Sequence, residues 1–163
     1  HKEACALAVE NNINVTLHAD WEVPEGIKEV VLDSKAKRVG HGSQIINDIS
    51  FDNGSITFNT GAAKYVFDNK IALEICPTSN VQCGAFSNVS EHSFGELYKA
   101  GFNVTINTDN RLMSDITMSE EVSNVVESFG LGEKDILSIT KNTIEAGFVE
   151  PKLRSGLLEK LDN

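Results

Sequence analysis

Two histidines and one aspartate follow apolar segments of the chain, in positions where side chains often carry chemistry. His18 follows Val15-Thr16-Leu17, His41 lies between two glycines, and Asp109 follows Ile106-Asn107-Thr108. Neutral imidazole and carboxylate are ligands that together suit zinc. They are also common general acids and bases. If the three side chains meet, the sequence predicts a metal site or an acid–base site.

Each polar residue near a predicted strand end also has a structural interpretation. A single histidine there is more often a hydrogen-bonded structural residue than a ligand, and Asp109 with Asn110 fits a turn and a helix cap. The glycines beside His41 favour a site, because glycine lets a ligand or a second backbone segment come close. Glu74 fits a paired buried carboxylate or a site-lining residue equally well. His92, next to a predicted helix start, is interpreted as a surface or capping residue.

Four apolar segments are predicted to be the strands that position these residues. They cover residues 14–18, 38–41, 71–76 and 102–107, and helical patterns separate them. This alternation is typical of an α/β protein with a parallel sheet covered by helices. In a barrel of such units, the carboxyl ends of the strands converge on one mouth.

Capping signals and apolar spacing predict helices between and after these strands. The last two helices have no strand after them. The predicted helices are one starting near Pro24, one from a Ser93-x-x-Glu96 capping box to Gly101, one from Ser119 to Gly130, one from Glu133 to about Ala146, and one from Pro151.

The composition argues against several classes of partner. The 163 residues carry a formal charge of -10 at pH 7, so the surface is not built to neutralise phosphates and no nucleic acid partner is expected. No apolar run approaches the roughly 18 to 20 residues that span a bilayer, and no secretory signal is recognised, so we expect a cytoplasmic protein without a membrane partner. Cys5, Cys76 and Cys83 show no metal-ligand spacing and are predicted to be reduced core thiols.

Four sequence blocks occur in a fixed order along the chain. They are His18-Ala19, Arg38-Val39-Gly40-His41-Gly42, Leu73-Glu74-Ile75-Cys76-Pro77-Thr78-Ser79-Asn80 and Asn107-Thr108-Asp109-Asn110-Arg111-Leu112-Met113-Ser114. In order and spacing they resemble the adenosine deaminase family of metal-dependent amidohydrolases, from about residue 1 to 160, and the last block resembles its bacterial branch. The resemblance implies a TIM-type (β/α)8 barrel, of which residues 1–163 would be the carboxyl-terminal half, with about four parallel strands and trailing helices. A whole barrel takes about 250 residues.

The resemblance also implies a reaction, the zinc-dependent hydrolysis of adenosine, and of deoxyadenosine, to the inosine product and ammonia in purine salvage. It implies that His18 and Asp109 bind one zinc ion, and that Asp109 holds the attacking hydroxide while His41 orients and deprotonates it. Asn110 would contact N7 of the purine, where many relatives carry a second aspartate. An amide suits this role because its NH2 group can donate to an unprotonated ring nitrogen, whereas an ionised carboxylate cannot.

Two departures from the family pattern leave alternatives open. The paired zinc histidines of the family, written His-x-His, do not occur in this sequence, so only two protein ligands are present where catalytic zinc usually has three. Relatives read His-Ala-Gly-Glu, in which the glutamate protonates purine N1. Here Asp20-Trp21-Glu22 follows Ala19, so Glu22, the expected general acid, comes one place late. The alternatives are a noncatalytic deaminase-like subunit or assembly module, and a deaminase of adenine or another aminopurine.

The isolated chain is expected to self-associate and to be nearly inactive. A parallel sheet cut at its middle has open edges. It would also expose an apolar inward face. The residues expected on that face are Val15, Leu17, Leu73 and Ile75. With half of the zinc site missing, we expect weak zinc binding and negligible deaminase activity.

Overall fold

The computed structural model describes residues 2–19, 25–52 and 55–161, in which strands are followed by helical segments. The chain divides into two units. Unit 1 comprises His1–Ile75 and Ser93–Asn103, and unit 2 comprises Cys76–His92 and Val104–Asn163. No helix within the described ranges has both the length and the apolar character needed to cross a membrane.

Within these ranges, the strands all have three or four residues. They are β1 (Thr16–Ala19), β2 (Arg38–His41), β3 (Ile49–Asp52), β4 (Ser55–Phe58), β5 (Ala72–Ile75) and β6 (Val104–Ile106). The α-helices are α1 (Lys2–Glu10), α2 (Gly26–Lys28), α3 (Gly61–Asp68), α4 (Pro77–Gln82), α5 (Phe94–Lys99), α6 (Arg111–Ser114), α7 (Met118–Phe129), α8 (Glu133–Ala146) and α9 (Pro151–Leu161). A π-helical turn, Glu29–Asp33, continues α2, and 3₁₀ turns cover Ser43–Asp48 and Val89–Glu91. The four predicted strands correspond to β1, β2, β5 and β6.

The sheet of unit 1 has an apolar face and a polar face. β1, β2 and β5 lie side by side in this order and pair in parallel. One row of aligned residues is apolar: Leu17, Val39 and Leu73. The next row points to the opposite face, because side chains alternate along a strand. It consists of His18, Gly40 and Glu74.

The apolar face of this sheet is the covered one, which corrects the face predicted for an isolated half barrel. Leu73 and Ile75 are fully buried, and Val15 and Leu17 are half-buried. The alternate row, which contains the exposed His18, is the open one. Alternation along a strand defines two faces but not which of them the helices cover, so the expectation that these apolar residues would be exposed was wrong.

A two-stranded antiparallel hairpin, β3 and β4, follows the 3₁₀ turn after β2 and was not predicted. Ile49 pairs with Phe58 across it. The Phe58 ring lies 5.2 Å from the Phe67 ring of α3, and Phe67 lies 5.1 Å from Phe102, measured between ring centroids. Burial of these aromatic rings supplies apolar area that favours folding. The hairpin therefore lies between β2 and α3 and packs onto α3.

The predicted helix near Pro24 is not α-helical throughout, because a π-helical turn continues α2. Pro24 lies outside the described residues, and the backbone from Glu29 to Asp33 has π-helical bonds, such as that from Ser34 N–H to the Glu29 carbonyl at 2.9 Å. Its apolar residues still face inward, as predicted. The buried members are Ile27, Val30 and Val31.

The helices of unit 2 begin and end close to the predicted residues. α8 and α9 start where expected, and α7 ends at Gly130, whose φ of 63° is the left-handed conformation that glycine tolerates best. α7 begins at Met118, one residue before the predicted start at Ser119, because Thr117 provides the cap. Thr117 and Glu120 form a capping box, and the two hydrogen bonds from Thr117 hold the pKa of Glu120 below its usual range.

Two further local predictions were wrong. Ser93 makes no cap hydrogen bond to α5. Its hydroxyl donates to the Ser43 carbonyl instead, at 2.9 Å, so a long-range bond replaces the predicted capping box. The cysteines are free thiols, but only Cys76 is buried among them, while Cys5 is half-buried and Cys83 exposed.

Candidate active site

An unusual backbone conformation at the end of β2 brings two imidazole rings together. His41 aligns with Ala19 in the register, so strand alternation alone would point it away from His18. His41 instead has a φ of 59°, and its ring lies edge-to-face against the His18 ring, with centroids 4.7 Å apart. A left-handed non-glycine residue costs about 1 to 3 kcal/mol, and such strain clusters at functional sites. The strained backbone thus places both rings on the polar face.

The glycines on either side of His41 allow this arrangement. A Cβ atom on Gly40 would lie 3.2 Å from the His18 Cα, a tighter contact than most Cβ atoms make, so a larger residue there would push β1 and β2 apart by a few tenths of an ångström. Gly42 has a φ of 73°, and a Cβ atom on it would lie 2.8 Å from Leu73 Cδ2. The predicted close approach of a second backbone segment is confirmed at Gly40.

Glu74 is a paired carboxylate. Its Oε2 accepts a hydrogen bond from Thr16 Oγ1 at 2.6 Å, and its Oε1 lies 3.0 Å from Arg38 Nε. The side chains of Arg38 and Glu74 are only 22% and 24% exposed, so this ion pair is less screened than a surface pair. Of the two interpretations left open by the sequence, the structure supports the paired carboxylate, which joins β1, β2 and β5.

In unit 2, Asp109 is oriented by a hydrogen bond and by its own backbone. Ser79, on α4, donates from Oγ to Asp109 Oδ2 at 2.7 Å. Asp109 has a φ of 56°, again in the left-handed region, and is exposed. Hydrogen bonds of this kind fix the orientation of ligating carboxylates in metal sites. Ser79 lies inside a sequence block singled out above, but nothing in its type or spacing marked it as the partner of Asp109.

Asn110 caps the next helix and thereby fixes its own amide. Its Oδ1 accepts a hydrogen bond from the Met113 backbone N–H at 3.1 Å, at the start of α6. The predicted turn and cap at this position are therefore present. Because Oδ1 is used as the acceptor, the Nδ2 group is the part of the side chain that can donate to a ligand.

His92 is buried, whereas the sequence analysis expected a surface or capping residue; its backbone N–H does cap the 3₁₀ turn Val89–Glu91, with a hydrogen bond to the Val89 carbonyl at 3.1 Å. It is only 2% exposed, its Nε2 lies 3.1 Å from Asn80 Oδ1, and its ring centroid is 4.1 Å from that of Phe86. The prediction failed because the polar neighbours of His92 in the sequence suggested a solvated turn. The residues that bury it come from elsewhere in unit 2.

The three residues that follow β1, Asp20, Trp21 and Glu22, lie outside the residues that the structure describes. The assignment of Glu22 as general acid therefore stays a prediction.

The donor groups of both units fit a zinc ion by type. Within the described ranges, no hydrogen bond is made by the ring nitrogens of His18, which is exposed on the polar face. Asp109 offers a carboxylate whose orientation is held by Ser79. Imidazole nitrogen and carboxylate oxygen are both common zinc ligands. His18 and Asp109 therefore suit the metal that the sequence predicts.

Solved structures share the fold of this chain. The adenine deaminase of Arthrobacter aurescens has a TM-score of 0.86 at 20% identity, and the match covers 99% of this chain and 46% of the adenine deaminase. An Arabidopsis N6-mAMP deaminase has a TM-score of 0.80 at 26% identity, covering 99% and 44%. A Burkhoderia ambifaria amidohydrolase with bound Zn has a TM-score of 0.80 at 18% identity, covering 99% and 43%. The predicted fold class, parallel strand–helix units of part of a TIM-type barrel, is confirmed.

Comparisons of sequence give the family. The adenosine deaminase of Mycobacterium sp. (strain JLS) is 40% identical over 162 residues, which make up 98% of this chain and 44% of that protein. The chain thus spans less than half the length of this relative. A family model described as Adenosine deaminase matches residues 1–163. The chain belongs to the adenosine deaminase family.

Proposed function

We propose that the full-length protein is a zinc-dependent hydrolase that converts adenosine and deoxyadenosine to the inosine product and ammonia. The observation that carries this proposal is the pair formed by His18 and His41, which a strained backbone builds on the polar face of the sheet. Membership of the adenosine deaminase family supports the reaction type. The reaction serves purine salvage, and we expect it in the cytoplasm.

In this proposal His18 and Asp109 hold the zinc ion, together with ligands from outside residues 1–163. When bound, zinc supplies a Lewis acid that lowers the pKa of the attacking water. Asp109 also orients this water through its carboxylate, which Ser79 holds by one oxygen. His41 accepts the proton of the water, because a neutral imidazole is the base best matched to neutral pH.

The remaining residues act on the purine ring. Glu22 protonates N1, which makes C6 a better electrophile as the water attacks. Asn110 donates from Nδ2 to N7, while its Oδ1 stays bonded to the Met113 N–H. The C6–N bond breaks as the leaving amino group takes the proton that His41 accepted, so that it departs as ammonia. The oxygen of the water stays on C6, and the second proton of the water replaces the one that Glu22 gave to N1.

Two alternatives are kept for specific reasons. Another aminopurine as substrate is motivated by the fold neighbours named as adenine and N6-mAMP deaminases. A noncatalytic subunit or assembly module is motivated by Trp21, which occupies the register of the family's general acid.

A substrate panel on the zinc-loaded full-length protein tests the proposal. We expect adenosine and deoxyadenosine to lose their characteristic ultraviolet absorbance with release of one equivalent of ammonia, and adenine to react much more slowly. Turnover of adenine alone would replace the proposed substrate. No turnover of any aminopurine would overturn the proposal and favour the noncatalytic alternative.

Replacing Asn110 by alanine is expected to raise KM for adenosine by about tenfold, since one hydrogen bond to the ring is lost. Aspartate at this position keeps the α6 cap but can donate to N7 only in its protonated form. For Asn110→Asp, kcat/KM relative to the wild type should therefore fall as the pH rises through the pKa of the new carboxyl. Steady-state kinetics across pH measure both effects. A pH profile identical to that of the wild type would show that Asn110 does not donate a hydrogen bond to N7.

We also propose that residues 1–163 form the carboxyl-terminal half of the barrel domain and self-associate when isolated. Within unit 1, β1 lies at the edge of the sheet, and edge strands present unpaired backbone donors and acceptors. The open face beside it is polar, so the edge rather than an apolar face is the expected contact. Sedimentation of the purified chain should show dimers or larger species. A monomer at high concentration would contradict this prediction.

A further inference from the structure

One buried acidic residue of unit 2 has no role in the proposed reaction. Glu121 lies on α7, and its side chain is fully buried. It shares the inner side of the helix with Val125, one turn later, which is also fully buried. Burying a carboxyl group costs free energy unless hydrogen bonds compensate for the loss of water. Its place in the apolar face of α7 therefore calls for an explanation.

The hydrogen bonding of Glu121 points to α4. Its Oε1 accepts from the backbone N–H of Thr78 at 2.9 Å, whereas its Oε2 has no hydrogen-bond partner among the described residues. Thr78 is in the first turn of α4, where backbone N–H groups lack partners within the helix. Glu121 thus supplies an acceptor that the helix itself cannot provide, and it does so at one defined backbone atom.

Thr78, whose N–H Glu121 binds, directly precedes Ser79, the residue that orients Asp109. Ser79 follows Thr78 and donates from Oγ to Asp109 Oδ2 at 2.7 Å. The other end of α4 is held separately, because Gln82 donates to the Ser114 carbonyl at 3.0 Å. Glu121 therefore fixes the end of α4 from which Ser79 reaches Asp109.

We propose that Glu121 is a positioning residue for Asp109. By holding the Thr78 N–H it sets the position of Ser79 Oγ, and Ser79 sets the orientation of the Asp109 carboxylate. The proposal rests on the proposed function, in which Asp109 binds zinc. It concerns reach rather than charge, because the only side-chain hydrogen bond of Glu121 among the described residues is donated by a neutral backbone N–H to one carboxylate oxygen.

Two substitutions in the full-length protein separate reach from charge. Glu121→Gln keeps an oxygen at the same distance from the backbone but loses the charge, and Glu121→Asp keeps the charge but is one methylene shorter. We expect Glu121→Asp to weaken zinc binding and lower kcat by about 10- to 100-fold, the usual cost of losing an outer hydrogen bond in a metal site. Glu121→Gln should stay within about threefold of the wild type.

Chelator competition measures zinc affinity, and adenosine kinetics give kcat and KM. KM should change little in Glu121→Asp, because the substrate contacts are untouched. Glu127→Asp is the matched control on the exposed side of the same helix and should match the wild type. Thermal unfolding establishes that each variant is folded. Loss of zinc affinity in Glu121→Gln but not in Glu121→Asp would overturn the proposal, as would equal affinity in all variants.

A double-mutant cycle with Ser79→Ala tests whether Glu121 acts through Ser79. If it does, Glu121→Asp should weaken zinc binding no further once Ser79 is alanine. Fold-changes that multiply would show independent roles and overturn the proposal. A wild-type protein that binds zinc without deaminating adenosine would refute the proposed function, yet the zinc readout would still decide the role of Glu121. A wild-type protein that binds no zinc would overturn both.

Discussion

The substitution His41→Ala in the full-length protein is expected to lower kcat for adenosine by about 10²- to 10⁴-fold, the usual contribution of a general base. His41 carries the imidazole proposed to accept the proton of the attacking water, and its ring lies against that of the proposed ligand His18. Because His41 is not assigned as a ligand, the variant should keep its zinc. Metal analysis together with single-turnover kinetics measures both expectations.

The control for this substitution must be a residue with the same left-handed backbone conformation as His41. His41 has a φ of 59°, so replacing it changes backbone strain as well as chemistry. Lys35 is exposed and has a φ of 55°, and Lys35→Ala should leave kcat unchanged. Loss of zinc together with activity in His41→Ala would make His41 a ligand rather than a base. Full activity would exclude both roles.

Replacing Glu22 by glutamine is expected to lower kcat by a similar factor, about 10²- to 10⁴-fold, if Glu22 protonates purine N1. Glutamine has nearly the same shape but no acidic proton to give. The expected loss should be accompanied by loss of the alkaline limb of the pH profile, since activity falls on that limb as the general acid loses its proton. Steady-state kinetics between about pH 5 and pH 9 show both effects.

Asp20→Asn is the matched comparison for Glu22→Gln. Asp20 is shorter and two places earlier in the sequence, so its amide variant should retain activity. The reverse result, an inactive Asp20→Asn with an active Glu22→Gln, would assign the acid to Asp20. Full activity of both variants would show that neither Asp20 nor Glu22 transfers a proton to N1.

Most elements of the fold could be predicted where local signals decide the structure. β2 spans the predicted 38–41, because glycine and histidine end an apolar strand there. α8 and α9 begin at the predicted residues, since the apolar spacing of α8 is regular and proline at the first position of α9 is a strong helix-start signal. The prediction of a TIM-type barrel came from the family resemblance, because local sequence patterns do not show that the strands close into a barrel.

The errors in the fold come from side-chain contacts that local sequence patterns do not reveal. Ser93 has the residue type and spacing of a cap, but a bond to the Ser43 carbonyl competes successfully for its hydroxyl. The β3–β4 hairpin depends on Phe58 packing against Phe67, a contact that strand periodicity does not reveal. His92 is buried by Phe86 for the same kind of reason.

The candidate site was predictable in its residue types but not in its geometry. Strand ends and flanking glycines singled out His18 and His41, but with the observed register, alternation alone would put them on opposite faces. The left-handed backbone at His41 reverses this, and it is set by the fold around it. A carboxylate among the apolar residues of α7 was a visible signal for Glu121. Its bond to Thr78 was not visible, because it joins residues far apart in the sequence.

Anomalous diffraction at the zinc edge from crystals of the full-length protein tests the central claim most directly. We expect one anomalous peak within bonding distance of His18 and Asp109, about 2.0 to 2.2 Å from the ligating nitrogen and oxygen atoms. His41 should lie outside this distance, within hydrogen-bond reach of a water on the metal. A peak bound elsewhere, or His18 left uncoordinated in zinc-loaded crystals, would contradict the account.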